Sequence, residues 1–211
     1  MPRWTSLMGA CLLLILTACC PLTSDHPLGM VQDAQYDARL TGAWRLDAAD
    51  GEPAFVHLAK ADGNRIQVLA LEQKQNGRME WAAFTVFGIA KAGDRYLNID
   101  LKEVDTEEAR NHEGYILIRY SLPDKNTLVL ERLRLQAVVA AIQKGELAGT
   151  ITYESPEKKA SGNVLKQPPA ASAAKASCAR ITDSTANLSR FFAARNPRQL
   201  FTPYLTLKRI Q

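Results

Sequence analysis

Arg95-Tyr96-Leu97-Asn98-Ile99-Asp100-Leu101-Lys102-Glu103 is the stretch that decides the fold class. In an extended chain Leu97, Ile99 and Leu101 fall on one side while Tyr96, Asn98, Asp100 and Lys102 fall on the other, so the period is two and the segment reads as a half-buried strand. Tyr115 to Leu122 repeats the pattern with Ile116, Ile118, Tyr120 and Leu122 on the core side, and Leu147 to Tyr153 does so with Leu147, Ile151 and Tyr153. Trp81 to Ala90 differs, because both faces are apolar: Trp81, Ala83, Phe87 and Ile89 alternate with Ala82, Phe84 and Val86. Such a segment is a central strand or one whose second face is covered.

Working outward, strand-like runs from Leu40 to about Tyr153 are separated by Ala48-Ala49-Asp50-Gly51, Asp62-Gly63-Asn64, Asn76-Gly77, Ala92-Gly93-Asp94 and Pro123-Asp124-Lys125-Asn126. Each can supply the φ > 0 or Asx chemistry of a hairpin. The expected fold is mainly β, an antiparallel meander closed or nearly closed into a barrel of about 8–10 strands, since closure removes exposed sheet edges. Val138–Lys144 is expected to form a short internal helix stopped by Gly145. A C-terminal helix from about Ser184 to Arg195 is capped by Asp183 and places Leu188, Phe191 and Phe192 on one face. Leu205–Ile210 follows as a last strand, and the Pro-, Ala-, Ser- and Lys-rich stretch near residues 155–177 is expected to be a loop.

The N-terminus carries a different signal. Arg3 precedes the apolar run Leu7–Leu16, which is too short to span a bilayer, and Leu16-Thr17-Ala18-Cys19 follows. This resembles a bacterial lipoprotein precursor. The resemblance implies that residues 1–18 are a signal peptide, that Cys19 becomes the acylated first residue, and that the protein is held in the cell envelope by its lipid. Cys20 follows in place of the Asp that favours inner-membrane retention, which implies the outer membrane, facing the periplasm. An ordinary secretory signal ending near Ala18 is the alternative. Residues 19–39, polar and without a sustained apolar period, read as a tether, and the domain as residues 40–211.

With Cys19 lipidated, Cys20 and Cys178 are the remaining thiols of the mature chain and are expected to pair in an oxidising compartment. The alternative leaves Cys20 free and Cys178 as a small buried residue. No CxxC pair or nearby histidine completes a metal site, and no cofactor is expected. Of 26 lysines and arginines only Arg3 lies in the signal, so the mature chain stays nearly balanced against 22 carboxylates. With no basic block carrying interleaved aromatics, nucleic acid is not an expected partner.

Leu40-Thr41-Gly42-Ala43-Trp44 opens the domain, and Gly42-x-Trp44 on a first strand resembles the start of the lipocalins and related calycin barrels. The resemblance implies a tryptophan closing one barrel end against a basic residue of a late strand, Lys208 or Arg209. The order of the C-terminal helix and last strand departs from that family's pattern.

Three histidines are present: His26 in the tether, His57 on a strand face with Phe55 and Ala59, and His112 in a charged loop. None sits in a catalytic motif, and Gly-x-Ser-x-Gly, His-Glu-x-x-His and P-loop patterns do not occur, so the protein is not expected to be an enzyme. The leading expectation is a binding module for an apolar or amphipathic small ligand, such as a lipid, with Trp81, Phe84 and Phe87 lining an apolar pocket and Arg119, Arg132 and Arg134 orienting an anionic headgroup. On the alternative, those arginines lie outside and pair with Glu131 and Asp100. The rival function is an accessory or inhibitory interaction subunit of an envelope complex, using the 155–177 loop and the exposed segment Glu103–Gly114. A barrel filled by its own side chains would favour this second reading.

Overall fold

The alternating stretches pair in the order in which they occur. The computed structural model describes residues 22–46, 53–73, 77–106, 109–154 and 175–210. The expected signal peptide, Cys19, Cys20, the turn at Ala48–Gly51 and residues 155–174 of the expected loop lie outside the described residues. Strands β2 (Gly42–Leu46), β3 (Ala54–Lys60), β4 (Arg65–Gln73), β5 (Met79–Lys91), β6 (Asp94–Asp100), β7 (Tyr115–Asp124) and β8 (Thr127–Leu133) each pair antiparallel with the next. The last strand, β11 (Phe201–Arg209), sits between β8 and β2 and closes an eight-stranded up-and-down barrel. Its Pro203 is tolerated because the pairing with β8 shifts register between Pro203 and Leu205.

A second layer is inserted between the seventh and eighth barrel strands. It comprises helix α1 (Leu135–Gln143), strands β9 (Gly149–Tyr153) and β10 (Ala176–Ile181), helix α2 (Thr185–Ala193) and the short turn α3 (Pro197–Leu200). A two-residue strand β1 (Thr23–Ser24) joins β10 in parallel and meets β7 at Ser24↔Tyr115, so the side sheet branches from the barrel wall. The stretch ending at Tyr153 therefore leaves the barrel rather than extending the meander.

Two cores result. Inward side chains such as Trp44, Val56, Ile66, Ile99, Ile118 and Leu207 fill the barrel. Outward side chains of β6, β7 and β8, including Tyr96, Leu117 and Leu133, are buried under Val138, Leu188, Phe191 and Phe192 of the second layer. The Tyr96 ring meets Phe192 edge-on at 5.9 Å and Phe201 at 5.7 Å. Asn98 is fully buried on that same face, accepting from the Leu28 amide at 2.7 Å and donating to the Leu28 carbonyl at 3.2 Å. The reading of Arg95–Glu103 as a half-buried strand is thus corrected: Asp94–Asp100 is covered on both sides, its polar Asn98 being satisfied by backbone.

The tether reading of residues 22–39 is also corrected. Leu28 is completely buried, and Gly29, at φ +86°, passes so close to Ile89 that a Cβ would meet its side chain at 3.0 Å. The Gln35 amide donates to the Gly88 carbonyl at 2.9 Å, after which Leu40 enters the barrel. Burial here rests on a few apolar residues, Leu28, Ala34 and Leu40, spaced too widely to show a period, with the polar groups satisfied by the surface they cross.

Smaller corrections concern ends. The internal helix begins at Leu135, three residues before the expected Val138, and β11 begins at Phe201 rather than Leu205. Ser184, not Asp183, caps α2 by accepting from the Asn187 amide. Asp183 instead ties the helix to the second layer, accepting from the Ala148 and Ser184 amides and from Asn187 Nδ2.

Candidate functional site

The barrel has one closed end and one covered end. At the closed end the Trp44 indole donates to the Leu40 carbonyl at 2.7 Å, and the Arg209 guanidinium stacks on its ring at 4.2 Å. Arg209 also donates to the carbonyls of Arg39 and Thr41, both at 2.5 Å, and of Lys125 at 2.9 Å, sealing the turn against the barrel. Lys208 points the other way, to the Thr127 hydroxyl at 2.7 Å. Beside this seal Asp37 accepts from Arg39 at 2.8 Å, Arg95 at 2.6 Å and the Tyr120 hydroxyl at 3.2 Å. The hydrogen bond from Arg39 outweighs burial and holds the Asp37 carboxyl down to about 2. Burial, with Asp37 nearby, pushes the Tyr120 phenol up to about 12.

At the other end the β6–β7 connection folds over the barrel. Leu101, Val104 and Ala109 are 1, 2 and 0% exposed and join the inner core. Within the segment Glu103–Gly114, Val104 and Ala109 pack into the barrel while Glu103, Asp105, Arg110, Asn111 and Glu113 stay exposed and His112 sits half-buried. What remains inside is a cavity of about 90 Å³ lined by apolar side chains, among them Leu40, Leu58, Val68, Phe84, Val104 and Ile118. Small-molecule sites usually run from about 300 to 1,000 Å³, so this space is well short of a lipid.

The residues expected to line a ligand pocket do not converge. Phe84 faces the cavity. Trp81 lies on the outer surface and is 68% exposed, and Phe87, on that outer face, is buried under Ala34 of the N-terminal segment. Arg119 lies outside the barrel between Asp94, at 2.6 Å, and Glu131. Burial works against its charge, but these two carboxylates more than offset it and raise its pKa. The outside pairing weighed for it thus holds with Glu131, but the second partner is Asp94 rather than Asp100. Arg132 pairs across from Ile118 on the inward side, at the rim, stacked 4.9 Å over Tyr204. Arg134 precedes α1 and donates to the Phe201 carbonyl at 2.7 Å. The three arginines are structural parts of three different junctions, and the headgroup arrangement is withdrawn.

A second depression, an open trough of about 490 Å³, runs between Met30, Ile89 and Lys91 on one side and Ser184–Ser189 of α2 on the other. Asp33 and Lys91 are its only charged lining residues. Among the described residues no group of three or more His, Cys, Asp or Glu side chains could hold a metal ion.

The outer barrel wall opposite the second layer holds the feature that sequence reasoning missed. Register aligns Lys208↔Arg45, Arg45↔Phe55, Phe55↔Leu71 and Leu71↔Trp81, so these five side chains form one row across β11, β2, β3, β4 and β5. The next row carries Ala43, His57, Leu69 and Ala83. His57 is exposed there. Met79, 50% exposed, extends the patch beside Trp81. The signal was present in the sequence as the apolar second face of Trp81–Ile89, but the alternation does not say which part of that face is covered.

Cys178 is buried and disulfide-bonded, with its partner outside the described residues. The barrel itself is compatible with a lipocalin-like arrangement, apart from the helices that intervene before the closing strand. Compared with protein families, with curated proteins and with solved structures, the chain finds no match in any of the three.

Proposed function

We propose that this chain is a non-enzymatic interaction module of the cell envelope, anchored by lipid at Cys19 and facing the periplasm from the outer membrane. It acts as an accessory or inhibitory subunit through its outer surface. The observation that carries the reading is the filled barrel: the cavity of about 90 Å³ is too small for the lipid-like ligand the fold would otherwise suggest. The polar clusters of strongly shifted pKa support it as well, since Asp37 and Tyr120 are committed to closing the barrel.

β1 pairs in parallel with β10 at Thr23↔Arg180, and Cys20 and Cys178 precede these two positions in the sequence by three and two residues. A Cys20–Cys178 bond would fix the domain directly beside its lipid. Peptide mapping without reductant is expected to recover residues 20 and 178 in one cross-linked species.

Native mass spectrometry of the full-length lipoprotein released from detergent micelles tests the function. The expected mass is the acylated polypeptide alone. A stoichiometric adduct of lipid size that leaves on denaturation would return the protein to the carrier class.

A further inference from the structure

Closure removes the edges of the barrel, but the second layer keeps one. Among the described strands every one has a neighbour on both sides except β9, which pairs with β10 alone. At the two ends of that ladder the Thr182 amide donates to the Ala148 carbonyl at 3.0 Å and the Glu154 amide to the Lys175 carbonyl at 2.9 Å. Antiparallel alternation between these points turns the main-chain groups of Gly149, Ile151 and Tyr153 away from β10. Sheet edges are ordinarily blunted by lysine, proline or a bulge. Gly149-Thr150-Ile151-Thr152-Tyr153 carries no charge and no proline, and the one irregularity of the ladder lies between Ala176 and Cys178 on β10, which leaves β9 regular.

The two faces of β9 differ. Gly149, Ile151 and Tyr153 turn toward α1: a Cβ at Gly149 would meet the Ile142 side chain at 2.6 Å, and Gln143 Nε2 donates to the Tyr153 hydroxyl at 3.2 Å. Thr150 and Thr152 are exposed on the opposite face. Because α1 packs mainly over β10, it is set back from the edge, and Tyr153 is left 42% exposed beside a half-buried Ile151.

A second copy of the strand answers this edge in a single antiparallel register. Centred on Ile151, it aligns all five residues: Gly149 with Tyr153, Thr150 with Thr152, and Ile151 with its own counterpart. The residues whose main-chain groups point outward then face one another, and each such pair exchanges two N–H···O bonds. The side chains agree with the backbone, since tyrosine covers the glycine of the other copy, threonine meets threonine, and no like charges are brought together. A strand that is its own complement gives a two-fold, isologous contact. We infer that β9 pairs antiparallel with β9 of a second copy, so that one sheet runs through two molecules. This goes beyond the interaction reading above and depends neither on the outer barrel wall nor on the anchor. Five residues a side make an interface well below the ~1,200–2,000 Å² of stable complexes, so the pair forms at high local concentration and parts on dilution.

The test places a photo-crosslinking amino acid at Ala148, an exposed position at one end of the edge, in the full-length protein in its own cells. An adduct of twice the chain's mass is expected, with the cross-linked peptide around Glu154 of the second copy, which this register sets opposite residue 148. Thr150→Lys/Thr152→Lys brings like charges opposite each other twice and is expected to lower the yield at least about tenfold. Thr150→Lys/Thr152→Glu sets opposite charges across both pairs and is expected to keep the yield, with melting temperatures of the two variants equal. Ile151→Pro removes an edge N–H that β10 does not use and is expected to abolish the adduct. A heterologous adduct, a cross-link confined to one chain, a contact peptide around Ala148 of the second copy, equal yields from the two charge variants, or no adduct would each overturn the inference. In the first of these cases the second copy fails while the interaction reading survives.

Discussion

The barrel has two outer walls built from similar material and treated oppositely. On β6 and β7 the outward Tyr96 and Leu117 are 2 and 3% exposed, held under α2 and the N-terminal segment. On β3, β4 and β5 the outward Phe55, Leu71 and Trp81 share a row in which Phe55 and Leu71 are half-buried and Trp81 is exposed. The contrast divides even a single strand, because Phe87 and Ile89 of β5 are covered at 6 and 8% exposure while Trp81, on that same face, is 68% exposed. Burying one large apolar side chain contributes about 1.5–3 kcal/mol. The covered wall thus holds much of the stability, and the bare wall leaves a comparable potential unused by the fold.

That division can be broken most directly at Phe192, 3% exposed between the walls' layers and packed against Tyr96, Phe191 and Phe201. Phe192→Ala is expected to cost about 3–5 kcal/mol in denaturant unfolding. Asn98→Ala comes next: it strands the Leu28 amide and carbonyl in a buried site and is expected to cost about 2–3 kcal/mol, with increased proteolysis near residue 28 as the specific sign. The Asp37 clamp that seats the N-terminal segment sharpens the comparison by pH. Its carboxyl is held at about 2 against an ordinary 3.8, so the ionised form is favoured by folding. Its contribution is complete above about pH 4 and is lost as pH falls toward 2, on the order of 1–2 kcal/mol after allowing for the exposed partners. Thermal melts of the protein and Asp37→Asn between pH 5 and 2 are expected to converge at the acid end. The smallest effect falls on the bare wall: Trp81→Ser is expected to move unfolding by less than about 0.5 kcal/mol, because little around it is lost.

The inner barrel face was legible because the period of two fixes it: Leu97 and Ile99, and Ile116, Ile118 and Tyr120, lie where their alternation puts them. What covers the outer face was not legible, since the covering groups are distant in sequence. Asn98 looks solvent-facing until Leu28, seventy residues away, supplies both its partners. Residues 22–39 read as tether because their burial depends on a surface that exists only after the barrel forms. The pairing of Trp44 with a basic residue of the last strand was anticipated, and Arg209 fills that place. The arginine cluster failed because sequence proximity on β7 and β8 does not distinguish Arg119, facing Asp94 and Glu131 outside, from Arg132 at the rim.

Placing the closing strand after the second layer has a consequence for how the molecule is made. β2 finds its second neighbour only when Arg209 reaches Trp44 and Leu207 reaches Leu46, across more than 160 residues. Until then β2 and β8 present two open sheet edges, and the intervening helices must order before the gap can close. Chain order places β11 after the second layer, so closure of the barrel follows that layer rather than seeding it. Any extension or trimming beyond Phe201 acts on that closing step, before it acts on anything the finished surface does.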